Sequence, residues 1–313
     1  MFSAVVFAYS EVGYRCLQVL LDHGVRVPLV FTYEDPPGER NWYGDVLSLA
    51  RRHGLEAVTD PDPSHEPWPR RIAALAPDYM LSFYYRSMLP MPLLRLARWG
   101  ALNMHGALLP RYRGRAPVNW AIANGETEVG ATLHYMVDKP DAGAIVGQEA
   151  VPVGIDDHAL EVSMAVAAAA ARVLERALPL MPAGPPPGTP MDLSAGSYFG
   201  GRRPEDGRID WSWPALRVHA MIRAVAPPFP GAFTDVAGHR IVFAHSRWSG
   251  DAAAHPRDAP CLYTAGNGLY LDCHDGRRLV IGSILVDGEP LDAHGFQRRF
   301  GIAPLTLSKE ARS

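Results

Sequence analysis

The chain has little that would mark a secreted, membrane-spanning or nucleic-acid-binding protein. It holds only three cysteines, Cys16, Cys261 and Cys273, scattered and odd in number. They have neither metal-ligand nor redox spacing, so a reducing, cytoplasmic compartment is the expectation. No uncharged run is long enough to cross a bilayer, so membrane insertion is not expected. The apolar start, Met1 to Tyr9, lacks a basic leader and a cleavage site and reads as a buried first strand rather than a signal peptide. There is no basic excess either. A net charge of −3 argues against a nucleic-acid partner, because neutralising phosphates needs a basic face. The turn after the first strand reads Ala8-Tyr9-Ser10-Glu11-Val12-Gly13 and carries no G-x-G-x-x-G, which disfavours a dinucleotide there. A P-loop, a G-x-S-x-G elbow and an H-E-x-x-H pair are also missing, and the twelve histidines show no zinc-ligand spacing, so no metal is expected.

What is present reads as a two-domain α/β protein. A length of 313 residues favours two domains, and 48% hydrophobic with 20% charged residues is ordinary for a globular chain. Strand-like runs at 2–9, 25–32, 57–58, 78–83 and 101–104 alternate with helical runs at 11–23, 45–53 and 68–75. Two of these helices are closed by glycines, Gly24 and Gly54. Alternation of this kind predicts a Rossmann-like, doubly wound parallel sheet with right-handed crossovers. Two further strands are expected at 129–137 and 145–153, then an alanine-rich helix over 159–178. The proline density of 181–190 forbids helix and mid-sheet strand and reads as a semi-rigid linker or surface loop. The domain boundary is placed near residue 200, giving domains 1–200 and 201–313. Beyond it come a helix over 214–224 and short β-like runs separated by Gly, Asp and Asn turns, as in a small β-barrel or sandwich.

The chemistry concentrates where strands of such a sheet end, the usual place for ligands. Asn103 and His105 stand two apart at one strand end, so they share a face if the strand runs that far. Asp141-Ala142-Gly143 follows 36 residues after the histidine. An amide can stabilise an oxyanion, an imidazole can manage protons, and a carboxylate beside the imidazole raises its pKa. Each also has a plain structural reading: a turn-forming Asn, a backbone-bonded His, a turn Asp. Arg111, Arg113 and Arg115 alternate in the following loop, and anion recognition and a solvated basic loop fit equally. Ser82-Phe83-Tyr84-Tyr85-Arg86 offers stacking surfaces beside a charge, or an aromatic-packed edge strand.

Taken together these segments resemble the folate-dependent formyltransferases. The resemblance rests on Asn103-Met104-His105-Gly106-Ala107-Leu108-Leu109-Pro110, on Asp141-Ala142-Gly143, and in the second domain on Ile222 to Phe233. Within the family the chain is most similar to the formyltransferase domain acting on UDP-4-amino-4-deoxy-L-arabinose in lipid A modification and polymyxin resistance. That likeness is carried by Val6-Phe7-Ala8-Tyr9, the Ser82-Phe83-Tyr84-Tyr85-Arg86 run, Tyr112 to Trp120, Asn124 to Thr127 and Phe199 to Arg203. The resemblance implies a C-terminal OB-like β-barrel and a cytoplasmic enzyme, open to homo-oligomer formation, that carries formyl from 10-formyltetrahydrofolate to a nucleotide-linked amino sugar. It implies Asn103, His105 and Asp141 as catalytic residues. It implies a folate site near Ser87, Met88, Leu89, Arg115, Val137, Asp138, Lys139, Pro140 and Asp141. Tyr9, Arg202, Arg203 and Arg223 are the candidates for holding the nucleotide sugar, the three arginines for its diphosphate. Another nucleotide-4-amino sugar, methionyl-tRNA as acceptor, and a non-catalytic folate or nucleotide-sugar binder are the alternatives. The acidic balance weighs against the tRNA, and the intact trio against the binder.

Overall fold

Ser3–Ala8 (β1) is buried along its whole length, as an interior strand covered on both faces must be. The computed structural model describes residues 2–35, 41–60, 62–256 and 260–307. From β1 the chain runs through α1 (Ser10–Asp22), β2 (Arg26–Phe31), α2 (Val46–Arg52), β3 (Ala57–Val58), α3 (Trp68–Leu75), β4 (Tyr79–Phe83), α4 (Met91–Leu94) and β5 (Ala101–His105). It continues with β6 (Arg113–Gly114), α5 (Pro117–Ala123), β7 (Glu128–Tyr135), β8 (Ile145–Pro152), α6 (Ala159–Ala177) and β9 (Tyr198–Phe199). The expected strands and helices up to residue 178 are all found within about two residues of their expected ends. Local chemistry explains the ends. The Asp45 carboxylate accepts from the Leu47 and Ser48 N–H groups and starts α2. Gly24 and Gly54 follow α1 and α2 in the left-handed region, where a Cβ would be strained.

Seven strands form one sheet in the order β3-β2-β1-β4-β5-β7-β8. β1 is parallel to β2 and β4, and β4 to β5. β7, however, runs antiparallel to β5, so the sheet is not parallel throughout. The chain after β5 returns along β5 itself, which sets the register on which the candidate site depends. The core on one side of the sheet is Val5, Phe7, Leu29, Phe31, Ile72, Met80, Leu93 and Leu94, with Phe7 and Phe31 stacked at 4.9 Å. The alanine-rich α6 buries Ala159, Val162, Val166, Ala170, Val173 and Ala177, a stripe at helical spacing.

The proline-rich segment is no free linker. Leu178–Ala183 forms a 3-10 turn, and the Tyr79 hydroxyl donates to the carbonyls of Met181 (3.0 Å) and Gly184 (2.5 Å). The Tyr135 hydroxyl donates to Pro186 (2.5 Å), and Thr189 bridges Ile145. Proline leaves a segment short of N–H donors, but its carbonyls stay good acceptors, and here tyrosines use them.

The chain divides into two compact units. The first comprises Met1–Pro117, Val129–Val151 and Ser163–Gly200; the second comprises Val118–Glu128, Pro152–Val162 and Gly201–Ser313. The last crossing falls at residue 200, and two earlier segments also group with the second unit, because spatial contact, unlike composition, joins pieces distant in sequence. In the second unit α7 (Ala215–Val225) precedes β10 (Ala232–Val236), β11 (His239–Ala252), β12 (Cys261–Ala265), β13 (Gly268–Asp272), β14 (Arg277–Val286), β15 (Glu289–Leu291), α8 (Ala293–Phe300) and β16 (Leu305–Thr306). Its sheet is antiparallel, in the order β10-β11-β14-β13-β12-β16 with β15 on β14. The expected barrel is thus a curled half-barrel sheet whose described strand path does not return to its start.

His219 of α7 is fully buried in this unit. One ring nitrogen meets Ser246 Oγ at 2.7 Å; the other donates to the Ile155 carbonyl at 2.8 Å, with Asp156 at 3.2 Å. Burial, reinforced by the Arg223 charge, depresses its pKa from 6.5 to about 4. The unfolded chain therefore binds this proton more readily than the folded one, and the stability it contributes above pH 6.5 is lost as the pH falls toward 4. We expect urea unfolding of the wild type to lose on the order of 3 kcal/mol from this group across that window. A His219→Gln variant should show a shallower acid loss in the same titration; an unchanged slope would remove His219 as its source.

Candidate active site

β5 extends through His105, so the Asn103 and His105 side chains do share a face. The antiparallel register pairs Asn103 with His134 and His105 with Thr132, which puts two β7 side chains on that same face. Asp141 arrives from the β7–β8 connection. The Asn103 amide lies 3.2 Å from His134 Nε2 and 3.4 Å from Asp141 Oδ1. His105 Nδ1 stands 3.7 Å from Asp141 Oδ1, and His134 Nε2 stands 3.5 Å from the same oxygen. The other carboxylate oxygen accepts the Gly114 N–H at 2.9 Å. The three residues expected from sequence therefore meet, and they meet around a fourth, His134, that sequence reasoning missed. A lone histidine inside a strand gives no signal; only the register with β5 brings it here.

Hydrogen bonds fix how the two rings are used. His105 Nε2–H donates to the Tyr112 carbonyl at 2.8 Å, which leaves Nδ1 as the open lone pair. His134 Nδ1–H donates to the Tyr135 carbonyl at 2.8 Å, which makes its Nε2 an acceptor for the Asn103 amide. Thr132 accepts from Gln148 Nε2 (2.7 Å) and donates to the Ala107 carbonyl (2.6 Å), tying down the turn after His105.

Two glycines make the approach possible. A Cβ on Gly106 would lie 1.6 Å from the Tyr84 hydroxyl, and one on Gly143 would lie 2.0 Å from the Tyr135 carbonyl oxygen. Tyr84, Tyr112, Ala116 and Asp141 all adopt left-handed backbone, a conformation that costs a non-glycine residue about 1 kcal/mol or more and clusters at working sites.

Charge follows from burial. Desolvation alone would raise the Asp141 pKa, but the imidazolium form of His105, together with His134 and the Gly114 N–H, outweighs it and holds the carboxyl well below its ordinary range. For His105 the balance goes the other way. Burial pushes its pKa below the ordinary 6.5, and Asp141 recovers only part of that. The sequence-based expectation of an imidazole held up by its carboxylate is thus reversed in sign: the free protein carries a neutral His105 at neutral pH.

The other expected residues lie apart from this cluster. Ser87 shares a hydrogen bond with the Tyr33 hydroxyl, Met88 is 71% exposed, and Leu89 is part of the apolar core. Arg115 is exposed and reaches the Arg86 carbonyl at 3.5 Å. Val137, Asp138 and Lys139 are exposed and Pro140 is half-buried, all on the connection that delivers Asp141. Tyr9, at the carboxyl end of β1, donates to Asp35 and lies under the Arg86 guanidinium at 4.1 Å. In the second unit Arg202 covers the Trp120 ring at 4.4 Å, the Arg203 N–H donates to Asp206, and buried Arg223 donates to the Gly154 and Asp157 carbonyls. Arg223 is thereby committed to backbone. His255, Cys261 and Asp272 also cluster there, but Asp272 already accepts from Arg278, His255, Tyr263 and the Ala254 N–H. That carboxylate has no lone pair to spare for a metal.

The chain is similar to known proteins along most of its length. Residues 23–178 match the formyl transferase family model, and residues 202–301 match the model for the formyl transferase C-terminal domain. Among solved structures, the fold is shared with an N-formyltransferase from Helicobacter canadensis in complex with folinic acid and dTDP-3-aminofucose. The TM-score is 0.71 at 16% identity, over 90% of this chain and 99% of that one. WlaRD, a sugar 3N-formyl transferase crystallised with dTDP and 5-N-formyl-THF, superposes with a TM-score of 0.68 at 16% identity, over 90% and 97% of the two chains. A sugar N-formyltransferase from a Shewanella species gives 0.59 at 19% identity, over 74% and 92%. Among the described residues no helix is long and apolar enough to cross a membrane. With both family models spanning most of the sequence and the Asn103–His105–Asp141 cluster inside the first, the chain belongs to the formyl transferase family.

Proposed function

We propose that this protein transfers a formyl group from 10-formyltetrahydrofolate to the 4-amino group of a nucleotide-linked amino sugar, with UDP-4-amino-4-deoxy-L-arabinose as the acceptor. The observation that carries the reaction is the convergence of an amide, a neutral imidazole and an ionised carboxylate on one face of β5 and β7. The donor and acceptor classes are supported by the folate and dTDP-sugar complexes of structural relatives. The particular sugar is supported by the Phe83-Tyr84-Tyr85-Arg86, Tyr112 to Trp120 and Phe199 to Arg203 segments. The three cysteines are buried and unpaired, in keeping with a reaction in the cytoplasm.

The chemistry follows from the protonation states. The acceptor amine attacks the formyl carbon, and the carbonyl electrons move onto oxygen. The Asn103 amide N–H stabilises that oxyanion. His105 Nδ1 takes the proton released by the attacking nitrogen, and Asp141 stabilises the imidazolium so formed. Collapse of the tetrahedral intermediate breaks the bond to folate N10, which receives the proton from His105. The buried Nε2–H···O=C bond to Tyr112 keeps the ring from rotating between the two transfers.

Asn103→Ala and His105→Ala should each lower turnover by roughly two orders of magnitude or more while leaving the circular dichroism spectrum unchanged; full activity in either would remove that residue from the mechanism. Because His105 must start neutral, kcat/KM should fall on acidification only below about 6.5. In Asp141→Asn the limb should move to still lower pH as the maximal rate drops, since the charge that raises the His105 pKa is gone. A pH–rate profile of both proteins checks this. Product masses from 10-formyltetrahydrofolate with UDP-4-amino-4-deoxy-L-arabinose, a dTDP-4-aminohexose and methionyl-tRNA decide the acceptor. A formylated UDP-pentose is expected, and formylation of the tRNA alone would overturn the assignment.

A further inference from the structure

Of the three alternating arginines in the loop after the catalytic histidine, the fold buries one. Arg111 and Arg115 are exposed; Arg113 is 7% exposed. Its Nε has no hydrogen-bond partner, and its guanidinium makes no ion pair, side-chain hydrogen bond or ring contact among the described residues. Arg223, also buried, has an unpartnered Nε too, but its Nη1 donates to two carbonyls, and half-buried Arg278 pairs with Asp272. A nearly buried cation without a counter-charge is costly, and removing such a group ordinarily stabilises a protein.

The backbone around Arg113 is held by the reacting groups themselves. The carbonyl before it, on Tyr112, accepts the His105 Nε2–H; the N–H after it, on Gly114, donates to Asp141. β6 is clamped to the 197–199 segment by Arg113 N–H to Ser197 O and Arg115 N–H to Phe199 O, both at 3.0 Å. Gly114 has φ +98°, and a Cβ there would lie 2.1 Å from the Phe199 oxygen. The Arg113 backbone is thus tied on both sides to groups of the candidate site, and its side chain starts from there.

We infer that Arg113 anchors the sugar-proximal phosphate of the acceptor and so selects nucleotide-linked amines; the inference rests on the acceptor class proposed above. A guanidinium fork matches two phosphate oxygens. In a nucleotide sugar that phosphate stands one sugar ring from the reacting amine. The donor has no such group near its reacting end, since the folate carboxylates lie beyond the aminobenzoyl ring. The acceptor, once bound, supplies the counter-charge that the free protein lacks.

Calorimetry and thermal melting of the wild type, Arg113→Met and Arg113→Lys, with UDP, dTDP and inorganic pyrophosphate as probes and 5-formyltetrahydrofolate as the donor control, test the inference. Free Arg113→Met is expected to melt no lower than the wild type, to bind all three diphosphates roughly 10- to 100-fold more weakly, and to bind the folate normally. Arg113→Lys keeps the charge and loses the fork, so its KM for the acceptor should rise about tenfold with kcat little changed. This variant carries the test if the methionine protein does not fold. Diphosphate affinity in Arg113→Met within about threefold of wild type, or an equal loss of folate binding, would overturn the anchor. The two readings fail separately. Wild-type protein that binds diphosphates through Arg113 but formylates no nucleotide sugar supports the anchor and overturns the reaction. Equal formylation by wild type and Arg113→Met supports the reaction and overturns the anchor.

Discussion

An ionised carboxylate held in the interior is the constraint around which this site is built. Asp141 stays charged although burial opposes it, because the Gly114 N–H and the Asn103 amide donate to its two oxygens and a histidine on each of β5 and β7 faces it, favouring the carboxylate when protonated. Each partner has a structural requirement. His134 reaches it only because β7 is antiparallel to β5 and in register with Asn103. The Gly114 N–H reaches it only because glycine lets β6 pass against Phe199. The connection carrying Asp141 closes only because Gly143 leaves room for the Tyr135 carbonyl.

The same burial explains the division of labour between acid and base. In water an imidazole beside a carboxylate would tend to be protonated. Inside the protein the cost of desolvating the imidazolium exceeds what Asp141 returns, so His105 is neutral in the free protein, and in the proposed reaction it charges only on accepting a proton from the substrate. Asp141 is thereby a stored counter-charge, useful once the reaction makes a cation. On the inference above, Arg113 extends this arrangement with the opposite sign: a buried cation on the same backbone segment, to be matched by the anion of the proposed acceptor.

Much of the fold is legible in the sequence, for a physical reason. Strand and helix are local outcomes of side-chain periodicity, and both the alternation up to β5 and the stripe along α6 are written in that periodicity. The proline-rich segment shows where such reading stops. Proline density reports which local structures are forbidden, but not that Tyr79 and Tyr135, about 50 to 100 residues away in sequence, would use the segment's carbonyls to hold it in place.

Spacing along the chain already carries the α/β alternation and sets Asn103 and His105 two apart at a strand end, and Asp141 enters as their partner through the resemblance of its motif. Only the tertiary structure decided that His134 joins them, that the His105 pKa moves down rather than up, that Arg223 is committed to carbonyls, and which of three alternating arginines is buried without a partner. Those outcomes rest on strand register and desolvation, and both are set by residues distant in sequence whose approach no local pattern encodes.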